Sequence, residues 1–147
     1  MDEKEYLEQR LEDQIGWYDQ KSQWNQKYYK SLTIIQMGSG VAIPFFTSFI
    51  AASNPLLKII VGLLGLTVAI ISGLLNIYKF QENWIQYRTT AESLKHEKYL
   101  YLTRSDPYHS ENAFQMFVLR VEDLISQEHS KWTEKQMKPA GEIKRPE

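Results

Sequence analysis

The chain has 147 residues, no cysteine, and 17 Lys and Arg residues against 18 Asp and Glu residues. This length is that of one ordinary domain, and the lack of cysteine excludes disulfides, thiolate metal sites and a cysteine nucleophile. A net charge of −1 argues against a dedicated nucleic-acid-binding protein, which would carry a surplus of basic residues.

The first predicted element is a polar helix over residues 3–30. This segment has no proline and one glycine, and its apolar residues recur at three- and four-residue steps at Leu7, Leu11, Ile15 and Tyr18. Nothing breaks the pattern before the apolar segment that follows. The sequence therefore predicts one continuous helix through both segments.

Two apolar spans follow, over residues 31–53 and 56–78. Of the 35 charged residues only Lys58 lies within them, so the mean hydropathy of −0.44 averages two very different parts of the chain. Each span has the roughly 20 apolar residues that a helix needs to cross a bilayer core, and Ser-Asn-Pro at 53–55 is a turn signal. The sequence predicts a transmembrane helical hairpin. The alternative, a buried hairpin of a soluble protein, would need more amphipathic surface than the polar remainder offers.

Basic residues near the span ends predict the orientation of the hairpin. Lys58 stands alone near the turn, whereas seven basic residues flank the opposite ends: Lys21, Lys27, Lys30, Lys79, Arg88, Lys95 and Lys98. Because basic residues favour the cytoplasmic side, both termini are predicted to be cytoplasmic. Aromatic residues that commonly anchor helices at a membrane boundary lie at the same level, namely Tyr28, Tyr29, Tyr78 and Trp84.

Two further helices are predicted in the cytoplasm, over about residues 79–103 and 110–135. Ser-Asp-Pro at 105–107 separates them, because proline cannot continue a helix. Residues 138–147 hold two prolines and a glycine without periodicity, and are predicted to be a disordered tail. The predicted fold class is all-α: a transmembrane hairpin whose long helices extend into a cytoplasmic helical bundle, as a single membrane domain over residues 1–137.

Motifs of enzyme active sites are missing from the sequence. It has no phosphate-binding loop, no His-Glu-x-x-His pair and no Gly-x-Ser-x-Gly elbow. Glu92 and His96 could join Glu122 or His129 around a metal ion, but a Glu–His pair four residues apart is more often a solvated contact on one helix face. We therefore expect no enzymatic activity, no cofactor and no bound metal.

Small and polar residues recur every four positions in both spans. In the second span Gly65, Ala69 and Gly73 form a ridge that lets another helix approach closely, with Asn76 on or beside it. In the first span the repeating residues Gln36, Gly40, Pro44 and Ser48, with Thr47 adjoining, are candidates to line a pore.

Two interpretations of these stripes stay open. Either they only pack the hairpin against itself, or one face of the hairpin meets other copies of the chain. Two helices cannot enclose a water-filled path, so any channel would be a ring of protomers. Such a pore would be lined by amides, hydroxyls and backbone, with a hydrophobic constriction near Ile43, Phe46 or Phe49.

The run Trp84-Ile-Gln-Tyr-Arg88-Thr-Thr-Ala-Glu92-Ser-Leu94 follows the second span. It resembles the W-x-x-Y-R-x-T-A-E-x-L run of the SLATT group of bacterial proteins with two transmembrane helices, in particular its branch catalogued as a domain of unknown function. Tyr108 and Trp132 also fit this resemblance. A local ion pair is the simplest structural account of Arg88 and Glu92, which lie one helical turn apart.

The resemblance implies a pore-forming effector of a bacterial conflict or defence system that responds to a separate sensor protein. We therefore expect a homo-oligomeric channel in the bacterial inner membrane, with the lipid bilayer and copies of itself as partners and no nucleic acid. The alternative is a non-conducting, membrane-anchored interaction or scaffold module.

Overall fold

A computed structural model describes residues 2–48 and 55–137, with side chains up to residue 128. The helices are α1 (Glu3–Glu5), a π-helical turn (Tyr6–Leu11), α2 (Glu12–Thr47), α3 (Pro55–Tyr78), α4 (Phe80–Leu102) and α5 (Ala113–Met137). No strand occurs among these residues, so the all-α prediction is confirmed. Most of the predicted turn, the candidate Phe49 and the predicted tail at 138–147 lie outside the described residues.

The first helix begins at a capping box, in which two residues satisfy each other's main-chain N–H groups. The Glu5 main-chain N–H donates to Asp2 Oδ1 over 2.7 Å, and the Asp2 N–H donates to Glu5 Oε2 over 3.3 Å. The helical path then continues through the π-helical turn into α2. As the sequence predicts, α2 runs without a break from the polar arm into the first apolar segment.

The chain divides into two compact units. The terminal unit consists of the residues before Gln20 together with those from Arg88 onward. The central unit is Gln20–Tyr87 and holds most of α2, all of α3 and the start of α4.

The core of the terminal unit is built from three helical segments. Each contributes buried residues that recur after one or two helical turns: Leu11, Ile15 and Tyr18; Ala91, Leu94 and Tyr101; and Phe117, Val121 and Ile125. The rings of Tyr101 and Phe117 stack with their centroids 4.4 Å apart. Aromatic stacking therefore adds to aliphatic burial in holding α4 against α5.

In the central unit, α2 contacts α3 and the start of α4 in antiparallel order. Ser22 meets Trp84, Tyr28 meets Phe80 and Gln36 meets Ser72, so residue numbers rise along one helix as they fall along the other. Ile71 and Phe80 are buried at this contact.

One helical stretch among the described residues, Pro55–Leu102, is long and apolar enough to cross a membrane. Only 6% of its most apolar window is buried within the protein. Large apolar residues are likewise exposed along the described part of the first predicted span, with Ile34 and Val41 exposed by 70% and 73%. This degree of exposure is unlike that of a core helix in a soluble protein.

Two residues with left-handed backbone angles mark the ends of α3 and α4. Lys79, with φ of 48°, separates α3 from α4, and the Asn83 side chain donates to the Tyr78 carbonyl there over 3.1 Å. Arg104, with φ of 50°, ends α4 in a Schellman motif, in which the Ser105 N–H donates to the Leu100 carbonyl over 3.0 Å. The following helix begins at Ala113, three residues later than the sequence predicts.

Candidate functional site

A polar groove lies between α2 and α3 in the central unit. The Gln36 side-chain amide donates a 2.8 Å hydrogen bond to Ser72 Oγ, so two polar side chains that are 36 positions apart meet among apolar ones. The groove measures about 460 Å³, and its lining includes Tyr29, Gln36, Ser72, Asn76, Lys79 and Glu82. It therefore brings together Gln36 from the predicted pore-lining stripe and Asn76 from the predicted packing ridge.

The rest of the predicted pore-lining stripe faces outward on α2. Gly40, Pro44, Thr47 and Ser48 are all exposed. The Thr47 hydroxyl donates to the Ile43 carbonyl over 2.8 Å, and the Ser48 hydroxyl donates to the Pro44 carbonyl over 2.9 Å. Because their own helix satisfies these hydroxyls, they can lie in apolar surroundings at low cost, whereas the amide of Gln36 needs a polar partner.

The predicted packing ridge does not form the contact between α2 and α3. Gly65 is partly buried, while Ala69, Gly73 and Asn76 are exposed. A Cβ atom added at Gly65 or Gly73 would meet nothing within 4 Å. Ile71, two positions from both Ala69 and Gly73, is buried instead. Close helix approach along this ridge is therefore not used within the described part of the protomer.

Aromatic side chains contact one another where α3 ends and α4 begins. The ring of Tyr78 stacks with Phe80 at 5.4 Å, and that of Tyr28 stacks with Phe80 at 6.1 Å. Tyr29 stacks with Trp84 at 6.4 Å, and Lys30 Nζ lies 5.8 Å from the centre of the Trp84 ring. The four aromatic residues predicted to lie at one level thus make two groups of ring contacts, with Tyr28 and Tyr78 on Phe80 and Tyr29 on Trp84.

Arg88 and Glu92 form the local ion pair that their spacing predicts. Arg88 Nη2 lies 2.9 Å from Glu92 Oε1, and both side chains are half exposed, so the pair contributes a few tenths of a kcal/mol at most. Glu92 also lies 3.5 Å from Lys95 Nζ, and Lys95 donates to Asp19 Oδ2 over 2.7 Å. This bond to Asp19 raises the pKa of Lys95.

The remaining residues of the motif are Trp84, Tyr108 and Trp132. Trp84 belongs to the central unit. Tyr108 is buried in the terminal unit, where its hydroxyl donates to Glu97 and burial raises its pKa to about 12. The side chain of Trp132 lies outside the described part of the chain.

Sequence reasoning did not find a polar cluster around Glu122 in the terminal unit. Arg10 donates to both Glu122 oxygens over 3.2 and 3.1 Å, and the Tyr6 hydroxyl donates to Oε1 over 3.1 Å. The Arg10 guanidinium lowers the pKa of Glu122, and burial together with this carboxylate raises the pKa of Tyr6. Glu122, considered above as a metal ligand, thus joins α5 to the π-helical turn.

Buried Glu128 makes a second link of this kind, because it accepts a 3.2 Å hydrogen bond from the Tyr18 hydroxyl. Both links join residues more than 100 positions apart, and no local sequence pattern signals such partners.

Comparison with known proteins gives one match. The model of the family described as "Protein of unknown function (DUF4231)" matches residues 13–115, which include α3, α4 and most of α2. No curated protein and no solved structure matches the chain.

Proposed function

The chain belongs to the DUF4231 family of proteins of unknown function, and from that premise we propose that it is a homo-oligomeric membrane protein whose protomers together form a channel or pore. In this proposal α3 and the apolar part of α2 cross the bilayer as an antiparallel hairpin. The terminal unit then forms a cytoplasmic helical bundle, with both termini on the same side.

The observation that carries the proposal is the uncovered apolar surface of the central unit. Beside Ile34 and Val41 on α2, residues on α3 are equally exposed, among them Ile59 at 61% and Ile77 at 75%. At about 25 cal/mol per Å² of apolar surface, leaving such an area in water would be strongly unfavourable. A bilayer or further copies of the chain would cover it.

Polar groups on the same surface support assembly rather than a solitary hairpin. Asn76 is exposed and Gln36 only partly buried, although both lie within the predicted spans. Uncovered carboxamides are costly in lipid, so they favour a neighbouring protomer or a water-filled path. The unused ridge of Gly65, Ala69 and Gly73 offers a close approach for a neighbouring helix.

In the ring that we propose, α2 lines the path and the ridge on α3 packs against a neighbour. Gln36, Gly40, Pro44, Thr47 and Ser48 would then contribute amide, backbone and hydroxyl groups to the lining. Ile43 and Phe46 lie on the same stretch of α2 and are partly buried. They are candidates for a hydrophobic constriction.

The placement of basic residues and the family resemblance support a bacterial inner membrane as the location of this pore and bacterial defence as its role. The excess of Lys and Arg at the ends away from Lys58 favours cytoplasmic termini in a bacterial inner membrane. The resemblance of the run from Trp84 to Leu94 to the SLATT group supports a role as an effector in a bacterial defence system. A separate protein would then act as the sensor that opens the pore.

Recording from planar bilayers with purified protein tests conduction. We expect unitary currents that Gln36→Leu and Thr47→Leu alter, because both remove polar groups from the proposed lining. Thr103→Leu is the matched control, since it makes the same chemical change just beyond the end of α4. Currents that are identical in all four proteins would contradict the assignment of α2 as the lining.

A second candidate function is a membrane-anchored scaffold that does not conduct. Exposed apolar residues on the terminal unit favour it, because Leu119 and Tyr99 are exposed by 72% and 62% and offer a partner a contact surface. A well-assembled ring that carries no current would support this scaffold over the channel.

A further inference from the structure

We propose that the polar groove between α2 and α3 binds the phosphoethanolamine headgroup of a membrane phospholipid. The proposal rests on the membrane insertion described above and gives this groove a ligand of defined chemistry.

Opposite charges are paired at one end of the groove. Lys79 Nζ and Glu82 Oε2 are 3.9 Å apart, and each side chain is more than half exposed. Because the ion pair is so exposed, it contributes little stability by itself, and both side chains remain accessible to other charged groups. A headgroup that carries a phosphate and an ammonium can place the first beside Lys79 and the second beside the exposed carboxylate of Glu82.

The groove has no surplus of either charge. Lys79 and Glu82 are the charged residues in its lining, and they cancel. A purely anionic headgroup would leave the carboxylate of Glu82 facing a negative charge, which is unfavourable. The groove therefore suits a zwitterion better than an anion.

Uncharged polar groups line the groove together with this charged pair. Asn76 lines the groove, and its carboxamide makes no hydrogen bond in the part of the chain that the structure describes. Ser72 and Gln36 add a hydroxyl and a second carboxamide. These groups can donate to phosphate and glycerol-ester oxygens.

The charged end of the groove lies where α3 ends. Lys79 and Glu82 directly follow the last turn of the apolar helix, where Ile77 is 75% exposed. A headgroup held there would have its acyl chains beside exposed apolar side chains. A volume of about 460 Å³ also exceeds what a single water or ion needs.

The test measures lipid retention by the full-length protein in nanodiscs that contain equal amounts of phosphatidylethanolamine, phosphatidylcholine and phosphatidylglycerol. Lipids that remain after mild delipidation are counted by native mass spectrometry. We expect phosphatidylethanolamine to exceed phosphatidylcholine about fivefold, because its ammonium can donate hydrogen bonds to Glu82 and a quaternary amine cannot.

Two variants in the groove should change lipid retention in different ways if the proposal is right. Glu82→Gln removes the acceptor for the ammonium, so the preference should shift to phosphatidylglycerol. Lys79→Gln removes the cation that would bind the phosphate, so retention of phosphatidylethanolamine and of phosphatidylglycerol should fall. Lys58→Gln at the other end of α3 and Glu8→Gln in the terminal unit make matched charge changes outside the groove and should leave the pattern unchanged.

Three results would overturn the proposal. The first is equal retention of the three lipids by the unmodified protein, and the second is a preference that Lys79→Gln and Glu82→Gln leave intact. The third is soluble phosphoethanolamine binding in lipid-free detergent as tightly as the lipid, which would make the ligand a free metabolite. A protein that enters the nanodisc but shows no preference defeats this inference alone, whereas failure to enter also defeats the proposed function.

Discussion

Gln36 on α2 and Ser72 on α3 are joined by a 2.8 Å hydrogen bond from the carboxamide to the hydroxyl. Between apolar helices such a bond contributes about 0.6 kcal/mol. We expect Ser72→Ala to lower the unfolding free energy in detergent by about this amount, because it leaves the Gln36 amide without its acceptor. Denaturant titration followed by circular dichroism measures the change.

A double-mutant cycle isolates this pair. Gln36→Leu combined with Ser72→Ala should cost less than the sum of the two single changes, because the second change removes a group that has already lost its partner. Ser31→Ala, on an exposed part of α2, is the control. Strict additivity would show that the bond contributes nothing to the stability of the protomer.

Phe117 is the most informative core position of the terminal unit. Its side chain is fully buried and stacks on Tyr101 at 4.4 Å. Phe117→Ala should lower the unfolding free energy by about 3–5 kcal/mol, because it removes buried area and leaves a cavity. Leu119→Ala, two residues away and 72% exposed, should change it by less than about 0.5 kcal/mol. Similar losses for the two variants would mean that α5 does not pack on this face.

The left-handed backbone conformation of Arg104 predicts that a substitution at this position can stabilise the protein. It holds φ at 50° in the Schellman motif that ends α4, and glycine adopts this conformation without the steric cost of a Cβ atom. Arg104→Gly should therefore raise the thermal midpoint, with a gain of about 0.5–1 kcal/mol, which is the left-handed steric cost of about 1–2 kcal/mol less the entropic cost of glycine of about 0.5–1 kcal/mol. Arg104→Ala removes the same charge but keeps the Cβ atom, and should give no gain. A lower midpoint for the glycine variant would contradict the left-handed end of α4.

The pH dependence of stability should report the contact between Arg10 and Glu122. Because Arg10 lowers the folded pKa of Glu122, this carboxylate stabilises the fold above its ordinary pKa of 4.5. That contribution is lost as the pH falls through the lowered value. Glu122→Gln should therefore flatten the decline in unfolding free energy below about pH 4.5. Exposed Glu8→Gln should leave the decline unchanged, and an equal decline in all three proteins would exclude this contribution.

Periodicity predicted much of the helical core from sequence. Leu11, Ile15 and Tyr18 recur at the spacing of one helix face, and all three are buried. The Ser-Asp-Pro signal correctly marked the break after α4, because proline cannot continue a helix. These features depend on residues that are close in sequence, which is why the pattern reveals them.

Side-chain partners across helices could not be predicted in the same way. The position of Gln36 in α2 does not predict Ser72 as its hydrogen-bond partner, and Arg10 is 112 positions from its partner Glu122. The small residues Gly65, Ala69 and Gly73 form a stripe that can be read from the sequence, but the sequence could not tell whether the protomer uses it for packing. Which faces meet depends on the packing of every helix together.

The central claim is that copies of this chain gather in a membrane around a shared path. Native mass spectrometry of the protein, released from membranes into detergent, tests it most directly. The account predicts recovery from the membrane fraction as a closed assembly of more than two copies. A monomer or a dimer would leave no room for a path between protomers and would contradict the account, as would a protein that stays monomeric in buffer without detergent.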